Sequence, residues 1–167
     1  MVLYRLVIFG GDTMSKHSDR ALELFKQGYN CSQAVFCAFC DEFNMDEETA
    51  LRVSAGLGGG VGRMREVCGT VTGAALVIGM LYGATDGKDT QKKKETYEKV
   101  QEIAEEFKKD NPSIICRELL GLTKEAQAKE TAAPEARTEH YYKKRPCSEL
   151  VENMAKILDE KFFEAEN

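Results

Sequence analysis

The sequence predicts an all-α protein: a compact single-domain helical bundle around a central, glycine-rich apolar helix. Apolar residues recur at helical spacing nearly throughout, no alternating strand pattern follows Met14, and capping or breaking residues bracket each run. A length of 167 residues suits one domain with a single core.

The elements follow in order. A first helix is expected over about Asp19 to Gln27, with Leu22, Phe25 and Tyr29 on one side and Gly28 as its stop. Asn30 caps a second helix that starts at Cys31 and runs to about Phe43, burying Ala34, Val35, Cys37, Ala38 and Phe39. Asp46 caps a third, with Ala50, Val53, Ser54 and Leu57 inward. Gly56 to Gly62 holds too many glycines for any helix. From about Val67 to Tyr82 the chain is apolar almost all round and carries Gly69, Gly73 and Gly79, with Gly83 beyond; small residues permit close backbone approach, which puts this helix at the centre.

Asp89 or Thr90 opens a long helix to about Lys109, with Tyr97, Val100, Ile103, Ala104 and Phe107 inward, and Asn111-Pro112 ends it. Ser113 to Gly121 reads as a helical turn closed by glycine. Residues 122–145 read as a short helix from Thr123 followed by a loop, with the basic run His140 to Arg145 solvated. Pro146 suits the first position of a last helix, whose buried stripe is Leu150, Val151, Met154, Ile157, Leu158 and Phe162. No repeat and no linker to a second domain is visible. Residues 1–13 read as a non-native leader or a disordered arm. Gly10 to Met14 back-translates to a purine-rich ribosome-binding site followed by a start codon, which makes Met14 the expected natural start and residues 14–167 the domain.

Composition removes several function classes. Hydrophobic residues make up 43% and charged residues 31%, which argues against a membrane protein, and a net charge of -5 disfavours a nucleic-acid binder. The chain has six cysteines and no export signal, so a cytoplasmic setting is expected, with cysteines serving as metal ligands, redox groups or buried apolar residues.

Four of them, Cys31, Cys68, Cys116 and Cys147, each fall where a helix begins. A helix N-terminus carries about half a positive charge and unpaired N–H groups, so a thiol there ionises more readily. Arg63, Arg65, Arg117 and Arg145 add nearby charge. The bland alternative is four separate buried thiols. Spacing alone gives no compact zinc ribbon or ferredoxin run. Cys37 and Cys40 form a C-x-x-C lying mid-helix among Val35, Phe36 and Phe39, and core packing is its expected role, with a resolving thiol or supplementary ligand as the alternative. The glycine run lacks the Lys-Ser/Thr of a phosphate loop; Gly59 and Gly60 are expected to let backbone pass close to the site or to present N–H groups to a cofactor. His17 and His140 lie in polar segments and are expected to face solvent.

At these cysteines the chain resembles the C_GCAxxG_C_C family of redox-active proteins. The resemblance rests on Tyr29-Asn-Cys-Ser-Gln-Ala-Val35, Gly58-Gly-Gly-Val-Gly-Arg-Met64, Cys68-Gly-Thr-Val-Thr-Gly73, Cys116-Arg-Glu-Leu-Leu-Gly121 and Arg145-Pro-Cys147, within about residues 18–160. It departs at Thr70, where an alanine is usual. The resemblance implies that Cys31, Cys68, Cys116 and Cys147 are the family cysteines, and it favours an iron–sulfur centre over zinc. On that reading they are the metal ligands, Gly59, Gly60 and Gly69 contact the cofactor, and the protein transfers electrons to a partner protein or senses redox state. If no cofactor is held, the same cysteines are catalytic thiols of a thiol–disulfide oxidoreductase. A helical interaction module with structural or zinc-binding cysteines is the third reading. No nucleic-acid or membrane partner is expected; a homodimer is compatible with the residues.

Overall fold

A computed structural model describes residues 15–164. The leader reading lies outside them. Among the described residues there are nine right-handed α-helices and no strand. They are α1 (Lys16–Lys26), α2 (Cys31–Ala38), α3 (Glu47–Ser54), α4 (Gly69–Tyr82), α5 (Thr90–Asp110), α6 (Cys116–Leu119), α7 (Lys124–Ala128), α8 (Glu139–Lys144) and α9 (Cys147–Leu158). No helix among these residues is long and apolar enough to cross a membrane.

The centre is α2, a short helix buried on nearly every side and packed against α1, α3, α4 and α9. Asn30 fixes its start: Oδ1 accepts from the Gln33 N–H at 3.0 Å, and Gln33 Oε1 accepts from the Asn30 N–H at 3.1 Å. Such a reciprocal cap is worth about 0.5–2 kcal/mol. Phe25, Phe36, Phe39, Phe107, Ile78, Ile103 and Met154 are fully buried and fill the core, each contributing about 1.5–3 kcal/mol. Against α2 lies the apolar α4. Two of its glycines are needed for that approach: a Cβ on Gly73 would lie 2.8 Å from the Ser32 carbonyl oxygen, and one on Gly69 would lie 3.0 Å from Cys31 Cβ. Gly79 meets open space instead, so the glycine pattern marks close packing only in the first half of α4.

Several elements differ from the sequence reading. Ser15, not a later residue, caps α1 by accepting from the Ser18 N–H, so the helix starts at Lys16 and carries His17 inward. α2 ends at Ala38, and a 3-10 turn covers Cys40–Phe43 before Asn44 reverses the chain at φ 52°. Val53 and Tyr97, expected inward, are exposed, because α3 and α5 each lie along one side of the bundle rather than within it. The basic run is not a solvated loop: Thr138 caps α8, which buries Tyr141. One further departure is Gly59 to Arg65. Gly59, Gly60, Val61, Gly62, Arg63 and Arg65 all have φ between 55° and 69°, a left-handed turn around the site. For Val61, Arg63 and Arg65 this costs about 1–2 kcal/mol each.

Candidate functional site

Two backbone contacts assemble the site. The left-handed turn closes on itself, with the N–H groups of Arg65 and Glu66 donating to the carbonyls of Gly59 and Gly60 at 3.2 and 3.1 Å. It thereby presents Glu66 and Val67 to the segment before α6. Val67 and Ile115 form one antiparallel bridge; the Cys68 N–H donates to Ile114 O at 2.8 Å and the Cys116 N–H to Glu66 O at 2.6 Å. That bridge sets the start of α4 beside the start of α6. Gly60 is obligatory here, since a Cβ would lie 2.7 Å from Cys116 Cβ and from the Glu66 nitrogen. Asn30, packed on Gly58 and donating to Ala55 O at 2.9 Å, brings the start of α2 to the same place.

The result is a cavity of about 300 Å³ lined by Cys31, Cys68, Cys116 and Cys147, with Gly59, Gly60 and Gly69 in its wall. Cys31, Cys116 and Cys147 are each the first residue of a helix, and Cys68 is the cap residue of α4. Residues 132–137 form another wall, held to the left-handed turn by Glu130, which accepts from Arg63 and Arg65 at 2.8 Å each. The segment 122–145 therefore covers the site.

Placement at a helix start does not by itself make a thiolate. Burial pushes Cys68 up to about 11, against the hydrogen bond with Thr70 at 3.1 Å. It also pushes Cys116 up, opposed by Arg65, whose Nη1 donates to the sulfur at 3.8 Å. Cys147 is the exception. The Cys31 thiol donates a hydrogen bond to its sulfur, and this bond, helped by Arg145, Arg137 and Arg65, outweighs burial and brings Cys147 down to about 7. The same bond, with burial, holds the Cys31 proton well above the usual thiol range. One acid–base pair is thus split into a donor and an acceptor.

All four cysteines are free thiols. Among the described residues no three His, Cys, Asp or Glu side chains are grouped to hold a metal ion, so the four sulfurs border a space rather than meet at a point.

A family model described as "Putative redox-active protein (C_GCAxxG_C_C)" matches residues 29–161. The chain belongs to this family. The matched span contains all four cavity cysteines of this family member, the left-handed turn and the covering segment, and it begins after α1. No curated protein and no solved structure matches the chain.

Cys37 and Cys40 lie apart from the cavity, fully buried at the other end of α2. Burial pushes Cys37 up to about 12 and Cys40 up as well, although Arg20 donates to Cys40 at 3.8 Å. They are core residues. His140 is exposed, but His17 corrects the expectation: it is 6% exposed, stacked on Phe39, with Asp159 Oδ1 at 2.5 Å and Glu42 Oε1 at 3.0 Å. Sequence reasoning missed Arg137, Tyr141 and Glu130 because no local pattern marks them; the basic run beside Pro146-Cys147 was the available signal.

Proposed function

We propose that the protein is a thiol–disulfide redox protein in which Cys147 and Cys31 form and break one disulfide. What supports this is that Cys31 and Cys147 each open a helix on the same cavity, with Cys31 and the arginines drawing Cys147 below the usual thiol range. At neutral pH such a sulfur is about half thiolate and still a good nucleophile.

The chemistry follows from the pair. The Cys147 thiolate attacks one sulfur of a small disulfide, a new S–S bond forms, the old one breaks, and the departing thiolate takes a proton from water. Cys147 is then neutral, so the negative charge that held the Cys31 proton is gone. Cys31 loses its proton and attacks Cys147 Sγ, expelling the second thiolate. The protein gives two electrons and the Cys31 proton, water gives the other proton, and the substrate disulfide leaves as two thiols. The helix starts, Gly69 against Cys31 and Gly60 against Cys116 keep the sulfurs in place. Six free cysteines fit a reducing, cytoplasmic setting.

A second reading has specific support. Four thiols border one cavity whose arginines outnumber its carboxylates, a setting that suits the negative charge of a thiolate-held iron–sulfur cluster. Cys31, Cys68, Cys116 and Cys147 would hold it, and it would supply one-electron transfer to a partner protein.

Anaerobic purification separates the two. The first reading expects colourless protein that takes up a Cys31–Cys147 disulfide on titration with a small disulfide, mapped by mass spectrometry. Brown protein with matching iron and acid-labile sulfide, lost in Cys68→Ser, would replace it with the second.

A further inference from the structure

Arg63, Arg65, Arg137 and Arg145 all line the thiol cavity. Among the described residues two carboxylates pair with them: Glu130 with Arg63 and Arg65, and Glu135 with Arg145. Arg137 has no carboxylate there. It donates to the carbonyls of Phe25 and Tyr29 at 3.2 and 3.0 Å and lies over the Phe25 and Tyr141 rings. Four arginines facing two carboxylates leave an excess of positive charge that ionising Cys147 reduces without cancelling.

Arg145 is the incomplete member. Nη2 donates to Glu135 and the guanidinium lies 5.0 Å from the Tyr141 ring centre, but Nε is buried without a hydrogen-bond partner in a side chain only 10% exposed. A buried charged N–H lacking an acceptor is costly, and native proteins rarely keep one without a use. Arg145 is also two residues from Cys147 in the chain. A carboxylate entering the cavity would complete the guanidinium's hydrogen bonding, sharing the fork with Glu135 or replacing it.

We propose that the cavity selects small anions: the molecule that meets Cys147 is a low-molecular-weight thiol or disulfide bearing a carboxylate, anchored by Arg145 with the Arg137 charge beside it. This rests on reading Cys147 as the attacking sulfur. A volume of about 300 Å³ is at the small end for ligand pockets and suits such a molecule better than a protein loop.

Iodoacetate and iodoacetamide test this on the full-length protein. Each loses iodide as the thiolate forms a C–S bond, and they differ in charge. Both consume the same thiolate, so their rate ratio at one pH is independent of how much of Cys147 is ionised. The ratio at Cys147, read from its peptide by mass spectrometry, should exceed that of 2-mercaptoethanol by about ten-fold at low salt. Arg145→Gln should return it to the free-thiol value, and Arg145→Lys should keep part of the excess. A wild-type ratio equal to that of the free thiol, or a Cys147 that neither reagent reaches, overturns the proposal. Bis(2-hydroxyethyl) disulfide is uncharged and reports on the redox reading alone. If no Cys31–Cys147 disulfide forms with it, that reading fails while the alkylation ratio still decides this one.

Discussion

Cys147 and Cys68 are both buried thiols at a helix start in one cavity, yet they lie on opposite sides of the ordinary thiol value. The helix dipole is common to them and cannot account for the difference. The Cys31 hydrogen bond and the arginines can, because they act on Cys147 at short range where burial has removed water. The sign is that of an acid whose pKa falls: Cys147 gains its charge as pH rises through about 7, whereas Cys68 stays neutral until about 11. Iodoacetamide labelling of Cys147 should therefore rise to a plateau with a midpoint near that lower value. In Cys31→Ala the midpoint should move up towards the ordinary thiol range. An unmoved midpoint would show that the arginines alone lower it. The sequence carried the cysteine placement, because caps and breakers are local signals. It did not carry the ranking of the thiols, which depends on Arg137 and on Cys31 meeting Cys147 across the fold.

Among the elements, the left-handed turn between α3 and α4 decides the geometry. Its glycines were legible as a break in helix, and Gly60 does what such a residue should, admitting Cys116 and the Glu66 backbone. The isolated β-bridge between Val67 and Ile115 was not legible, since an isolated bridge has no alternating pattern to betray it. Two substitutions separate glycine as necessity from glycine as inherited habit. Gly60→Ala places a methyl 2.7 Å from backbone at φ 66°, so it should cost at least about 1–3 kcal/mol and loosen the Cys116 side of the cavity. Gly79→Ala sits inside α4 with nothing within 4 Å, so it should stabilise by about 0.5–1 kcal/mol. Urea unfolding measures both; equal effects would mean that neither steric crowding nor helix propensity governs these positions.

At the scale of the molecule, the family match begins after α1, yet α1 cannot be an appendage. It supplies Ala21, Leu24 and Phe25 to the core and packs along α9. His17 joins the two helices across 142 residues of sequence, placing its ring against Asp159, which is 2% exposed and has one carboxylate oxygen without a partner. Sequence could not show this, because the pairing residues share no pattern and the capping Ser15 looked like any polar residue. Removing one member leaves the other buried and unanswered, which costs about 3–5 kcal/mol; replacing both with apolar residues of similar volume costs far less. His17→Ala should therefore lower unfolding stability by that amount, while the double variant His17→Phe with Asp159→Leu recovers most of it. Glu42, with its side chain 36% exposed, should matter by less than about 1 kcal/mol when changed to Gln. Denaturant titration of the three variants reads the ranking directly. If His17→Ala and Glu42→Gln weaken the protein equally, the clasp between the first and last helices adds no more than a surface ion pair, and packing of Ala21, Leu24 and Phe25 holds α1 in place.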